Sequence, residues 1–314
     1  MKTMIKTAGA ASLLAVAVAS TSAVAAPLAE LGFSQHAGFG APTFFGGSLQ
    51  YKPASDVVNT DPFAEAGTLT SFAWEGANDP VESSIAIQSY NNSTAPVADL
   101  DGTPLRYTAG FAPDGDGQWN AGDWWVIDTI TQTNNTLTTL GGAIVDPLWV
   151  VDTLANLRIY ADAARTDLAY ADPTTTNSIS FNETLNTDSE AACAGPNPLE
   201  TLCDDIFTAS SDAFAPVSFV RGNYRYDLSF TLFAGTSTDN GVPDGTSEVV
   251  LNPDGTITVY TPEFNPGTSS IHVAMSYMAT AVPEPSILGL VGAGMLALGF
   301  AGRRRKQVQA KKAA

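Results

Sequence analysis

The chain has 314 residues, of which 32 are acidic and 14 are basic, and its formal net charge at pH 7 is −18. A charge of this sign and size opposes binding to nucleic acid and to anionic lipid, so we expect no nucleic-acid partner. Residues 27–281 are enough for a domain with its own hydrophobic core, and no break in composition divides them.

Residues 1–26 have the features of a secretory signal peptide. Lys2 and Lys6 precede an apolar region at 8–19, and the Ala-Val-Ala-Ala run at 23–26 places small residues where signal peptidase cleaves. We therefore expect signal peptidase as a processing partner and a mature chain that begins near Pro27. The mature chain then meets an oxidising compartment.

Residues 27–281 read as an all-β domain, because short runs of branched and aromatic residues alternate with turn-forming residues. The clearest strand is predicted at 224–232, where apolar and polar residues alternate. A hairpin is predicted from 248–251 and 256–260, because the Asn-Pro-Asp-Gly turn between them suits a tight reversal.

Further strands are predicted at 69–74, 84–90, 124–133, 156–161, 178–182, 217–220 and 271–278. Their irregular spacing argues against a propeller or a solenoid and favours an antiparallel, jelly-roll-like β-sandwich. A short helix within 147–170 is the alternative for that segment. The glycine-rich stretch 27–47 is expected to be ordered in part at most.

An acidic loop is the candidate metal site of the domain. Residues 27–281 hold 31 acidic and six basic side chains, a charge of about −25, for which divalent cations are natural counterions. Oxygen ligands alternate with glycines in the loop, a pattern that calcium favours, although the spacing is not that of an EF-hand. The alternative is a solvated Asp-Gly turn, with no cofactor. The candidate ligands are Asp114, Asp116, Asn120 and Asp123.

Tryptophans beside this loop raise the question of glycan binding. Trp119, Trp124 and Trp125 are close to its carboxylates, and apolar rings flanked by carboxylates can stack on sugars. The alternative, which we favour, is that Trp124 and Trp125 open a strand with one ring in the core. The same two interpretations apply to Trp74 and Trp149.

Cys193 and Cys203 are the two cysteines of the chain, and in an oxidising compartment we expect them to form a disulfide. A bridge across so short a loop contributes on the order of 2–3 kcal/mol. The two cysteines do not have the C-x-x-C spacing, and no histidine is near them in the sequence, so the sequence does not indicate a metal or redox site there. The two histidines, His36 and His272, belong to no hydrolase or metalloprotease motif, so we expect no enzymatic activity and no catalytic residue.

The C-terminal region has three parts in a fixed order. Pro283, Glu284 and Pro285 come first, and prolines keep such a segment extended and accessible. The charge-free residues 286–302 are just long enough for a transmembrane helix. A basic cluster then stops transfer and keeps the tail 307–314 cytoplasmic by the positive-inside rule. The cluster consists of Arg303, Arg304, Arg305 and Lys306.

This order at 282–306 resembles the PEP-CTERM sorting signal of Gram-negative bacteria. The resemblance implies processing near Pro-Glu-Pro by an exosortase, a membrane-embedded cysteine protease. It also implies a lifestyle of exopolysaccharide production and biofilm or floc formation. We expect an inner-membrane intermediate held by the C-terminal helix, and then the cell surface or the extracellular medium as the destination.

A second resemblance concerns the domain itself. The run 130–135, Ile-Thr-Gln-Thr-Asn-Asn, is similar to the Thr-His-x-Asn motif of the THxN family of PEP-CTERM proteins, with Gln132 in place of the histidine. The run 203–207, Cys-Asp-Asp-Ile-Phe, is also similar to that family. The resemblance implies no known activity.

The predicted function is a structural or adhesive role in an extracellular matrix, with exopolysaccharide as a partner. The alternative is a calcium-assisted carbohydrate-binding module. A third interpretation is an enzyme that acts on polysaccharide. Such an enzyme needs a pair of carboxylates, and a sequence this rich in Asp and Glu does not show which residues would form the pair.

Overall fold

The structure is a computed structural model. It describes residues 27–28, 31–45, 49–76, 82–93, 97–99, 106–108, 124–135, 147–184, 196–199, 203–234, 247–262, 267–282 and 294–295. Within these residues, two 3-10 turns, Pro53–Ser55 and Ser211–Phe214, join strands of an antiparallel sheet system. The strands are β1 (Gly32–Phe39), β2 (Thr43–Phe44), β3 (Leu49–Tyr51), β4 (Val57–Val58), β5 (Leu69–Gly76), β6 (Glu82–Ser89), β7 (Val97–Asp99), β8 (Arg106–Thr108), β9 (Trp125–Asn134), β10 (Trp149–Tyr160), β11 (Leu168–Ala171), β12 (Thr175–Asn182), β13 (Asp205–Ser210), β14 (Val217–Arg221), β15 (Tyr224–Ala234), β16 (Glu248–Leu251), β17 (Thr256–Thr261) and β18 (Gly267–Ala281).

The chain divides into two units, and the larger one, residues 28–219 and 225–280, is a curled antiparallel β-sandwich. One layer runs β1-β10-β12-β13-β17-β16, and the other runs β5-β6-β9-β18-β15. β1 pairs along its whole length with β10 and at Phe39 with Leu69 of β5, so it joins the two layers. The predicted all-β sandwich is confirmed.

An aromatic cluster forms the centre of the core between the layers. Trp74 of β5 and Trp149 of β10 are fully buried, and their ring centroids lie 5.5 Å apart. Phe181 of β12 stacks on Trp149 at 4.9 Å, and Phe72 meets the same ring edge-on at 5.2 Å. Such pairs each contribute about 0.5–1.5 kcal/mol beyond the burial of their area. Strand alternation places these rings on the inner face of their strands.

The predicted hairpin is confirmed as β16 and β17. Its register runs from Glu248 opposite Tyr260 to Leu251 opposite Ile257. Gly255 has a φ of 83°, the left-handed conformation that glycine accepts without strain, and its N–H donates to the Asn252 carbonyl at 3.1 Å. The local turn sequence therefore determines this register. The strands predicted at 69–74, 84–90, 124–133, 178–182, 217–220, 224–232 and 271–278 are also present.

The stretch 27–47, which was expected to be ordered in part at most, contains β1, whose eight residues are all buried. Its glycines allow close packing rather than disorder. A Cβ on Gly38 would lie 2.6 Å from the Thr68 hydroxyl, and one on Gly32 would lie 2.3 Å from the Asp162 carbonyl oxygen. Only glycine lets the covering segments approach β1 this closely.

The alternative of a short helix within 147–170 is wrong as well, because residues 149–160 form β10. Strand β10 pairs with β1 on one side and with β12 on the other. Hydrogen bonding from two neighbours overrides the mixed local preference of this segment.

Candidate functional site

The junction between the domain and the sorting segment lies at the end of β18, in the smaller unit of the chain (1–27, 220–224 and 281–314). β18 ends at Ala281, and the next backbone N–H, that of Val282, donates to the Asn223 carbonyl at 2.7 Å. Strand β18 therefore ends two residues before Pro283, and the residue between them is held by one backbone hydrogen bond. The predicted motif Pro283, Glu284 and Pro285 and the basic cluster 303–306 lie outside the described residues.

Within the described part of the chain, no helix is long and apolar enough to cross a membrane. Of the predicted transmembrane segment 286–302, the structure describes Gly294 and Met295 alone. The predicted signal peptide 1–26 lies outside the described residues.

The larger unit contains a cavity of about 290 Å³ between its two layers. Branched apolar side chains line it from both sides, and alanines at 37, 155 and 209 leave the space unfilled. Asp212 and Pro216, which border the cavity, are exposed, so the cavity opens at the 3-10 turn before β14. The apolar lining includes Ile85, Ile87, Ile130, Ile179, Ile257, Val259, Ile271 and Leu232.

A space of this size is unusual in a packed interior. An apolar cavity with a few polar groups is the form that small-molecule sites take.

A β-bulge in β9 turns a carboxylate into this interior. In the pairing with β18, Val273 lies opposite Asp128 and Ala274 lies opposite Val126, so Ile127 is the extra residue. The extra residue reverses the inside-outside alternation, and both Ile127 and Asp128 line the cavity. A bulge commonly re-aims a side chain in this way.

Asp128 is 4% exposed and bonds to neutral donors. Ser89 Oγ donates to Oδ1 at 2.6 Å, and Gln35 Nε2 donates to Oδ2 at 2.7 Å. Burial raises the pKa of the Asp128 carboxyl to about 6, although the two hydrogen bonds lower it in part. We did not identify Asp128 from the sequence, although a lone carboxylate after the apolar run 124–127 was the available signal.

A second buried carboxylate, Asp205, joins the two runs that resemble the THxN family. Its Oδ2 accepts from Asn134 Nδ2 at 2.7 Å and from Gln132 Nε2 at 3.2 Å, and its Oδ1 accepts from Thr184 N at 3.2 Å. Gln132, the residue in place of the motif histidine, thus bonds directly to the second run. Membership in the THxN family remains a prediction.

Ser34, His36 and Asp61 form a hydrogen-bonded chain on the outer face of β1. Ser34 Oγ lies 2.9 Å from His36 Nε2, and His36 Nδ1 lies 2.5 Å from Asp61 Oδ2, the order found in serine hydrolases. The backbone N–H groups of Phe33 and Gln35 are already used by Asn92 and Tyr90, so these amides do not supply an oxyanion hole. The chain fastens the segment 59–68 to β1.

The tryptophans divide as the favoured interpretation predicted. Trp125 is 4% exposed, and Trp74 and Trp149 are fully buried, so none of these rings can stack on a sugar at the surface. Trp124 is partly buried against Val126 and Ala274, and Trp119 lies outside the described residues.

The predicted calcium ligands Asp114, Asp116, Asn120 and Asp123 also lie outside the described residues. Among the residues that are described, no group of three or more His, Cys, Asp or Glu side chains could hold a metal ion. Cys203 is buried, and the position of Cys193 is not described, so their disulfide remains a prediction.

The comparisons with known proteins define the class of the chain through its C-terminus. Residues 281–306 match the family model of the PEP-CTERM protein-sorting motif. The chain therefore carries a PEP-CTERM sorting signal. It is an exosortase substrate, exported through the membrane to the cell surface. No curated protein and no solved structure shows significant similarity to the chain.

Proposed function

We propose that the domain 27–281 is a non-enzymatic structural or adhesive component of the extracellular polymer of a biofilm or floc. The observation that carries the proposal is the PEP-CTERM motif at 281–306, directly after β18. Bacteria that use this signal sort proteins to a surface embedded in exopolysaccharide, as the resemblance implies. Exopolysaccharide is therefore the proposed partner of the mature domain.

The proposed route has four segments. Signal peptidase removes 1–26, and the domain 27–281 folds outside while the segment 282–306 holds it in the inner membrane and the tail 307–314 stays in the cytoplasm. Exosortase then cuts near Pro283-Glu284-Pro285. The acidic composition of the domain supports this route, because a strongly charged surface keeps an exported protein soluble.

The route is tested by replacing Glu284 with alanine in the native host and measuring the intact mass of the protein in membrane and medium. We expect the wild type to yield a product that ends near Pro283, and Glu284→Ala to accumulate with residues 303–314 attached. Glu248→Ala, an exposed carboxylate on β16, is the matched control and should mature normally. Normal maturation of Glu284→Ala contradicts the route.

The structural role is tested separately by deleting the gene and weighing the polymer that the cells retain. We expect less retained polymer or weaker flocs, restored by the wild type and not by Glu284→Ala. Unchanged polymer retention in the deletion strain contradicts the matrix role while leaving the sorting route intact.

The calcium-assisted carbohydrate-binding alternative depends on the loop with Asp114, Asp116, Asn120 and Asp123. It requires a melting temperature that rises with calcium and a glycan retained only in its presence. Replacing Asp114 and Asp116 with asparagine should remove both effects. Equal melting temperatures with calcium and with chelator contradict it.

A further inference from the structure

The cavity between the layers has the size and lining of a site for a small apolar molecule. An engineered apolar cavity of about 150 Å³ holds benzene, so a cavity of about 290 Å³ has room for roughly ten to twelve carbon atoms. Alanines at 37, 155 and 209 hold the space open where larger side chains would fill it. The walls therefore select an apolar body of limited length.

One part of the wall is polar and rich in acceptors. Asp128 receives one hydrogen bond on each carboxylate oxygen and has capacity for more, because a carboxylate offers about four acceptor sites. Gln35, which donates to Asp128, is 6% exposed, and its Oε1 has no hydrogen-bond partner within the described part of the chain. A ligand that carries N–H donors would satisfy this excess.

The charges around Asp128 indicate the sign of the charge that a ligand would carry. Ser89 and Gln35 are neutral, so the hydrogen bonds to Asp128 supply no positive charge to balance a carboxylate removed from water. Asp172 and Asp212 border the cavity, and the whole chain is acidic, so its field attracts cations rather than anions.

We propose that this cavity binds a small apolar amine, with the hydrocarbon body between the two layers and the ammonium group on Asp128 and Gln35. The body would be a fused ring or a short chain of roughly ten to twelve carbons. This activity is independent of the sorting route and of the matrix role.

The test uses the full chain in nanodiscs of zwitterionic lipid, with empty nanodiscs as the reference, and equilibrium dialysis of three probes. The probes are 2-(1-naphthyl)ethylamine, which is a cation, 2-(1-naphthyl)ethanol, which is neutral, and the carboxylate anion of 1-naphthaleneacetic acid. They share a ring system and differ in charge. We expect saturable binding of one amine per chain, at least about tenfold weaker binding of the alcohol, and no binding of the carboxylate. Absence of saturable amine binding, or equal binding of amine and alcohol, overturns the proposal.

Variants separate the cavity from non-specific attraction to an acidic surface. Asp128→Asn keeps the shape and should weaken the amine by about tenfold or more while leaving the alcohol unchanged. Asp254→Asn, in the exposed β16–β17 turn, removes the same charge and should leave amine binding within about twofold. Equal losses in the two variants would mean surface attraction and would also overturn the proposal.

A blocked cavity gives the remaining control. Ala155→Leu places a larger side chain in the wall and should weaken amine and alcohol together. A melting curve first establishes that the variant folds. If a folded Ala155→Leu protein binds the amine as the wild type does, the amine does not occupy this cavity.

Discussion

Gln35 of β1 donates a hydrogen bond of 2.7 Å to Asp128 of β9, which links two strands that are not sheet neighbours, inside the sandwich. Ser89 of β6 completes the contact, since its hydroxyl donates to Asp128 and accepts from the Ala37 N–H at 3.0 Å. An apolar interior thus contains a carboxylate that is held by side chains from two other strands. This arrangement determines the first prediction.

The stability of the domain should depend on pH through Asp128. Its pKa in the folded state is about 6, against an ordinary value of 3.8, so the folded state binds the proton more tightly than the unfolded state. The resulting stabilisation is complete below pH 4 and is lost as the pH rises through 6. By pH 7 the loss is about 3 kcal/mol.

Asp128→Asn should lack this dependence, because an amide does not titrate in this range. The measurement is the free energy of unfolding by denaturant at pH 4, 5, 6 and 7 for both proteins. We expect the wild type to lose stability relative to Asp128→Asn over this interval. Parallel pH profiles would show that Asp128 titrates normally.

Gly38→Ala should destabilise the domain, because the new Cβ would lie 2.6 Å from the Thr68 hydroxyl and 2.9 Å from Asn59 Nδ2. Overpacking of this kind costs about 1–3 kcal/mol. Gly40→Ala is the matched control, since its Cβ would meet nothing closer than 3.5 Å. Chemical denaturation of the two variants measures the difference, and equal stabilities would contradict the close approach at β1.

Asp205→Ala should be strongly destabilising. The change leaves the side-chain amides of Gln132 and Asn134 and the backbone N–H of Thr184 without their buried acceptor. Each buried donor that is left without an acceptor costs about 1–3 kcal/mol. Asp152→Ala removes an exposed carboxylate on β10 and should change stability by about 0.5 kcal/mol or less. Thermal unfolding distinguishes the two, and similar melting temperatures would show that the Asp205 contacts contribute little.

Ser34→Ala and Asp61→Asn should loosen the segment 59–68 without removing an enzymatic activity. Both changes remove a hydrogen bond to His36, so amide hydrogen exchange in 59–68 should accelerate. Hydrolysis of an activated ester should stay at the background rate in the wild type and in both variants. If the wild type hydrolyses the ester and Ser34→Ala does not, then Ser34, His36 and Asp61 form a catalytic triad.

The sequence by itself determined the features that depend on neighbouring residues. The alternation in 224–232 identifies β15, the Asn-Pro-Asp-Gly turn identifies the β16–β17 hairpin, and the tripartite C-terminus identifies the sorting signal. These patterns are local, because side-chain period, turn conformation and a protease motif are all read over a few consecutive residues.

Only the tertiary structure decided the features that depend on distant partners. β1 is ordered because it pairs with β10 and because the segments 59–68 and 162–165 cover its glycines, and β10 is a strand because it pairs on both edges. Asp128 is buried because one extra residue in β9, placed against β18, reverses the alternation. Such pairings join residues that are far apart in the chain, so they contribute to stability only when the strands have been brought together.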